Sequence, residues 1–276
     1  EDKIIVAGTR RRKFINSKGT VEEIIRDWGI VINEVLGDRP KSFTKIGIAM
    51  PGPFDYEEGI SLINDQDKFR SLYKMNIKNI LAKYLALEEG CIRFMNDAAC
   101  FLQGEVFCGA AKNFNHVLGV TLRTGLGSSV CEGGLAEDAD LWRYTFKDGI
   151  AEDYLSTRWF VKRYQELSGK SVSGVKELIE EKSLLEVKQV FLEFSENLGQ
   201  FLIPQIKRYQ SEAVVFGGNI SNAFTFFQPE LQQVLTAQQA NVVLKKALLN
   251  EDASLIGAAS CWKIVKPEPR TTYEPL

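Results

Sequence analysis

The sequence contains a single histidine, His116, among 276 residues. That scarcity removes any multi-histidine metal cluster and makes Ser-His-Asp or Cys-His catalysis depend on one imidazole. Cysteine is sparse as well: Cys91, Cys100, Cys108, Cys131 and Cys261 form an odd set without a CxxC or CxC pair. A chain of this size needs no disulfide staples, so reduced thiols and a cytoplasmic location are expected. No apolar run approaches the roughly 20 residues of a membrane-spanning helix, and Glu1-Asp2-Lys3 lacks the shape of a signal peptide. Neither sign of charge dominates: 34 Lys and Arg against 36 Asp and Glu leave a net charge of −2, which excludes a broad basic surface for nucleic acid. Internal repeats and low-complexity segments are absent too.

What is present is a chain long enough for about two domains of ~150 residues, each with its own core. Residues 4–7 and 13–15 read as short strands. Thr20 followed by Glu23 makes a capping box for a helix whose apolar residues, Val21, Ile24, Ile25, Trp28, Val31, Ile32 and Val35, recur at the helical period. The run KIGIAM (45–50) is a strand stopped by Pro51-Gly52-Pro53. A helix over 76–87, a strand over 92–95 and a helix over 98–107 follow, then a hairpin of strands 117–122 and 128–131 around Arg123-Thr124-Gly125-Leu126-Gly127. Residues 135–147 read as irregular. Helices are expected over 151–166, 175–181 and 185–209, with Pro204 bending or breaking the last. A buried strand (213–216) runs into Gly217-Gly218-Asn219 and a helix from 222; a short strand (242–244) and a terminal helix (254–265) capped by Ser254 complete the pattern. The fold class is α/β, with a boundary near residues 110–117.

Four places stand out because each directly follows an apolar strand: Pro51-Gly52-Pro53, Asn96-Asp97, Thr124-Gly125-Leu126-Gly127 and Gly217-Gly218-Asn219. Glycine at a strand end lets a ligand approach the backbone, and turn amides can cradle phosphate oxygens. Each also has a purely structural reading, since turns need glycine and Asn or Asp suits a helix N-cap.

Order and spacing add a resemblance. The segments KIGIAMPGPFDYEEG (45–59), FMNDAACFLQGEVFCGAAKN (94–113), GVTLRTGLGSSVCEGG (119–134), GIAEDYLS (149–156), VVFGGNISNA (214–223) and SLIGAAS (254–260) together resemble the ROK family of sugar kinases and sugar-responsive repressors. The resemblance implies the actin-like, hexokinase-like ATPase fold, two α/β lobes with ATP and a sugar in the cleft between them. The lobes would comprise residues 1–113 plus 254–276, and 114–253. It implies that Asp97 is the general base taking the proton from a sugar hydroxyl as it attacks the γ-phosphate. Asn96, Gly52 and Glu152 would line the sugar site. Thr124, Gly125 and Gly127 would form a phosphate-binding turn, and Gly217, Gly218 and Asn219 a nucleotide-binding loop. ATP with Mg2+ is the implied cofactor set, and the partners are a small-molecule sugar, glucose by default, and a second copy in a homodimer.

The sequence also departs from the family pattern. Residues 136–150 (AEDADLWRYTFKDGI) hold no cysteine or histidine where many members carry a Glu-x-Gly-His motif and a zinc site, so structural zinc is not expected. Glu137, Asp138 and Asp140 are the candidates to replace the sugar contact, and the sequence does not choose among them. Arg123 stands where glycine is usual. Residues 1–33 lack the first, glycine-rich phosphate hairpin of the family, and an additional segment upstream of Glu1 is the expectation. A sugar-binding regulator or degenerate pseudokinase is the alternative function. A dinucleotide oxidoreductase fits poorly, because Gly125-Leu126-Gly127 lacks the third glycine of GxGxxG and leads into a strand.

Overall fold

The structure is a computed structural model that describes residues 5–39, 41–65, 68–180 and 184–262. Helix α1 (Val21–Leu36) starts at Thr20, whose hydroxyl accepts the Glu23 N–H while the Glu23 carboxylate accepts the Thr20 N–H, the reciprocal cap expected from the sequence. Then come β1 (Ile46–Met50), β2 (Phe54–Asp55), β3 (Ile60–Ser61), α2 (Ile77–Leu85), β4 (Ile92–Asn96) and α3 (Asp97–Cys108). Strands β5 (His116–Leu122), β6 (Leu126–Glu132) and β7 (Leu135–Asp138) form a meander, followed by β8 (Thr145–Phe146) and β9 (Gly149–Ile150). The helices α4 (Ala151–Tyr154), α5 (Thr157–Ser168), α6 (Val175–Glu180) and α7 (Leu185–Tyr209) lead to β10 (Ala213–Gly217), α8 (Phe224–Ala237), β11 (Val243–Lys246) and α9 (Asp252–Ser260).

The largest sheet has five strands in the order β11-β10-β5-β6-β7; β10 runs parallel to both β11 and β5, whereas the β5-β6-β7 pairings are antiparallel. Its fully buried strand β10 reads AVVF without alternation, as a strand covered on both faces must. One face carries an apolar cluster rich in phenylalanine, with Phe160, Phe194, Phe201, Phe216 and Phe227 all fully buried. A second sheet pairs β1 parallel with β4, and its core is a separate cluster against α1 and α2 that includes Ile24, Ile25, Leu81 and Phe94. A third, smaller cluster joins Phe101 and Leu102 of α3 to Val117, Ala213, Val215, Ala247 and Ala253.

Helices α3 and α9 cross at unusually close range because their contact is made of small residues. A Cβ on Gly104 would stand 2.1 Å from the Ala253 carbonyl oxygen, and one on Gly257 would stand 1.8 Å from that of Cys100. Gly47 of β1 is equally constrained, 1.9 Å from the Ala258 oxygen. The α9 backbone is therefore wedged between β1 and α3.

Several expectations need correction. Residues 5–15 form no strand: Val6 is 61% and Phe14 90% exposed, so the segment has no sheet to bury an alternating face, and ion pairs of Arg12 with Glu251 and Lys13 with Asp27 hold it instead. Residue 4 lies outside the described residues, as does the tail from residue 263 onward. The stretch after Gly134 is not irregular; β7 extends the meander. The helix expected over 151–166 is two, divided at Leu155 and Ser156. Helix α7 runs unbroken through Pro204, because burial of Phe201, Leu202 and Ile206 on either side outweighs the lost backbone hydrogen bond. Ser254 lies inside α9, whose N-cap is Glu251.

Candidate active site

The strand-to-helix junction of β4 and α3 organises one half of the site. Asn96 ends the strand and caps the helix, its Oδ1 accepting the N–H groups of Ala98 (2.8 Å) and Ala99 (3.0 Å). Its Nδ2 donates to Asp138 Oδ2 at 2.9 Å and to the Tyr56 hydroxyl at 3.2 Å, and that hydroxyl donates to the Met50 carbonyl at 3.1 Å. All the hydrogen-bonding capacity of this buried amide is engaged. The cap reading of Asn96 is thus correct, and the same side chain ties the end of β4 to the end of β7. Gly52 lies against this group: a Cβ there would stand 3.3 Å from the Tyr56 hydroxyl and 3.9 Å from Asn96 Nδ2.

Asp97 follows as the first residue of α3, solvent-exposed, with Oδ1 accepting the Ala98 N–H at 3.1 Å. A carboxylate at a helix N-terminus is favoured by the macrodipole. Protein crowding around Asp138 pushes its carboxyl above the ordinary value; the Asp140 N–H pulls the other way, and the nearby charge of Asp97 adds to the rise. Burial likewise raises the Tyr56 phenol.

The other half is built on the β5-β6 hairpin. Gly127 joins it to the first half, since a Cβ at this position would contact the Ala98 side chain at 3.7 Å and crowd Thr121 Oγ1 at 2.3 Å. At the exposed tip, made by Arg123 and Thr124, the Arg123 N–H donates to the Gly125 carbonyl (3.0 Å), and the Arg123 carbonyl accepts from the N–H and hydroxyl of Thr157. Glu152, at the start of α4, reaches the same turn. Its Oε2 accepts the Leu126 N–H at 3.0 Å, a Cβ on Gly125 would lie 2.6 Å from it, and Oε1 pairs with Arg158 at 2.7 Å.

The end of β10 abuts this turn. Gly218 has φ +85°, and a Cβ there would collide with the Leu122 carbonyl oxygen at 2.3 Å, so glycine is required on both conformational and steric grounds. A Cβ on Gly217 would meet the Phe101 ring at 2.5 Å. Exposed Asn219 opens a 3-10 turn, Asn219–Ala223, in which the Ser221 hydroxyl donates to the Gly218 carbonyl.

The residues singled out from sequence thus fall into two neighbouring groups. Gly52, Asn96 and Asp97 gather at the β4-α3 junction; Thr124, Gly125, Gly127, Glu152, Gly217, Gly218 and Asn219 gather at the hairpin, and the approach of Gly127 to Ala98 links them. A cavity of about 1070 Å³ opens beside the first group, bounded by Tyr56, Asn96 and Asp138 and running along β4 toward Arg93 and Trp262. Asp97, Glu152 and the glycine turns are not among its walls. Sequence reasoning passed over Tyr56 and left Asp138 as one of three acids; only the fold brings both onto Asn96.

Among the described residues no cluster of three His, Cys, Asp or Glu side chains is placed to hold a metal ion, and no helix is long and apolar enough to cross a membrane.

The ROK family model matches residues 6–137 and 147–265. The glucokinase of Thermotoga maritima is 24% identical over 95% of this chain and 91% of its own length. The N-acetyl-D-glucosamine kinase of Mannheimia succiniciproducens is 25% identical over 90% of this chain and 91% of its own. Among solved structures, a ROK family glucokinase from Streptomyces griseus in complex with glucose and AMPPNP superposes with a TM-score of 0.69 at 18% identity, covering 89% of both chains. The match across both halves of the sequence and the shared architecture lead to one conclusion: the chain belongs to the ROK family and has its actin-like, hexokinase-like α/β fold.

Proposed function

We propose that this protein is a sugar kinase that transfers the γ-phosphoryl group of ATP to a hydroxyl of a neutral hexose, with Asp97 as general base. The observation that carries the reading is the placement of Asp97: an exposed carboxylate at the start of α3, next to Ala98, whose side chain a Cβ on Gly127 of the glycine turn would meet at 3.7 Å. Phosphoryl transfer asks little of a protein beyond alignment and charge neutralisation, and a positioned base adds about 10² to 10⁴ in rate. The nucleotide would lie over Thr124, Gly125 and Gly127 and against Gly217, Gly218 and Asn219, where glycine lets backbone come close. The lobes would be residues 1–113 with 254–276, and residues 114–253. No preformed metal cluster stands in the described residues, so Mg2+ would be held mainly by the nucleotide phosphates, with one or two protein carboxylates at most.

The sugar would enter beside Gly52 and Asn96. Asp138 takes the contact left open by the missing family motif, because among Glu137, Asp138 and Asp140 it is the one bonded to Asn96. Asp97 and Asp138 make an acidic site that suits hydroxyl donors and disfavours sugar phosphates or sugar acids, and Glu152, paired with Arg158 at the hairpin, would meet the sugar from the other side. One observation favours a sugar-binding regulator instead: the Leu126 N–H in the phosphate turn is already engaged by Glu152.

Sugar-dependent ADP release, measured with glucose and N-acetylglucosamine, tests the reading together with calorimetry. The expected result is turnover that falls by about 10² to 10⁴ in Asp97→Asn while sugar affinity is kept. Equal turnover in the variant removes Asp97 from the role of base, and sugar binding without nucleotide binding makes the protein a regulator.

A further inference from the structure

Glu105 is a fully buried carboxylate that the proposed chemistry does not use. It lies on α3 eight residues after Asp97, about 12 Å along the helix axis. Its Oε2 accepts the N–H groups of Ala110 (2.7 Å) and Leu248 (3.2 Å), and its Oε1 accepts that of Leu249 (2.8 Å). A buried charge of this kind is costly unless its oxygens are satisfied, and here backbone donors supply three bonds.

The three donors come from two connections of the described chain, one leading from the β1-β4 half to the large sheet and one leading back. Ala110 lies in the connection from α3 to β5 of the large sheet, and Leu248 and Leu249 lie in the connection from β11 back to α9, which packs on β1. The site around Glu105 is closely fitted: a Cβ on Gly109 would stand 2.2 Å from its Oε2. Around it, Phe101 and Leu102 of the same helix pack with Ala247 and Ala253, so the clamp lies in the small core between the two larger ones.

We propose that Glu105 is a positioning residue that pins both crossing segments and thereby sets the orientation of the β4-α3 junction, with Asp97, relative to the hairpin and glycine loop expected to hold the nucleotide. The orienting role rests on the kinase reading; the pin itself does not. Its loss misaligns Asp97 with the transferring phosphoryl group while leaving the proposed nucleotide residues, in the β5-β6 hairpin and at the end of β10, as they are.

Two measurements on the full chain keep the pin and the kinase reading distinguishable. In hydrogen exchange on the unmodified protein, the Ala110, Leu248 and Leu249 amides are expected to be protected like those of β10, although the Leu248 residue is 68% exposed. Exchange at the rate of an open loop overturns the pin, whatever the protein catalyses. In the second, Glu105→Gln and Gly109→Ala, the latter keeping the charge but displacing the carboxylate, are assayed for sugar-dependent ADP release. The expected result in either folded variant is a kcat lower by about tenfold or more with the KM for ATP unchanged. Unchanged kcat in a folded variant, or a parallel loss of ATP affinity, overturns the positioning role. Should the unmodified protein release no ADP with any sugar, the kinase reading fails and the positioning role falls with it, while protected Ala110, Leu248 and Leu249 amides would still establish the pin.

Discussion

The five-stranded sheet and the β1-β4 sheet of this protein are stabilised in different ways. The five-stranded sheet is backed by a phenylalanine cluster in which Phe160, Phe194, Phe216 and Phe227 lie ring against ring, with centroids between 4.6 and 5.8 Å apart. Such rings bring large buried areas and specific edge-to-face contacts. Among the described residues the β1-β4 sheet has two strands, too few for independent stability, and it depends on α1, α2 and the close approach of α9. The proposed sugar and base residues, Gly52, Asn96 and Asp97, stand on this less massive half. Strong packing thus lies with the scaffold of the proposed nucleotide side, whereas the residues proposed for the sugar and the base lie where stability is borrowed from neighbours.

The sharpest way to break this comparison is in the aromatic core. Phe216→Ala empties a fully buried ring site and should cost about 3–5 kcal/mol, seen in denaturant melts as loss of the whole structure. A melt confined to the β1-β4 half would reverse the ranking of the two sheets. Gly257→Ala tests the borrowed stability: its methyl has no room against the Cys100 oxygen, and a loss of about 1–3 kcal/mol is expected, with exchange rising first in β1 and β4 amides.

Two carboxylates extend the comparison to pH. Asp138, at the site, has a raised value, so its ionised form is disfavoured by folding. Stability declines as pH rises from the unfolded value of 3.8 through the raised folded one, and the full cost remains above both. Asp138→Asn should therefore melt no lower than the parent at neutral pH, whereas calorimetry should show sugar affinity reduced about tenfold by loss of a charged acceptor. A lower melting point with unchanged sugar affinity would make Asp138 purely structural. Glu193, on the scaffold, is the opposite case. A two-pronged ion pair with Arg163, at 2.6 and 2.9 Å, holds its carboxyl below the ordinary 4.5, giving stability that is present above 4.5 and lost as pH falls through the lowered value. Both partners are partly exposed, so Glu193→Gln should cost only about 0.5–1 kcal/mol at neutral pH, and the difference from the parent should vanish in acid.

Much of this arrangement was legible in the residues. The Thr20-Glu23 box, the strand IGIAM before its prolines, the β5-β6 hairpin and the Asn96 cap are local signals, each written within a few residues, and all but IGIAM, which pairs with β4, are satisfied by neighbours in the chain. The misreadings were failures of locality. Val6 and Phe14 look like strand residues, but a strand exists only where another edge accepts its hydrogen bonds. Pro204 looks like a helix breaker until burial on both sides of it is known. Strand β7 reads as a loop because its pairing with β6 is what gives LAED its form.

The sequence by itself determined the order of most main elements, because turn chemistry, capping and apolar periodicity act over short stretches of chain, and its six ordered segments carried the resemblance to the ROK family. Only the tertiary structure decided that Asp138 rather than Glu137 or Asp140 meets Asn96, that Glu152 bonds the Leu126 amide, and that Glu105 gathers three backbone N–H groups. Apart from the Ala110 N–H, five positions from Glu105, those contacts join residues 26 to 144 positions apart. A buried carboxylate is paired by whichever donors the packed core brings to it, and no spacing along the chain records which those will be.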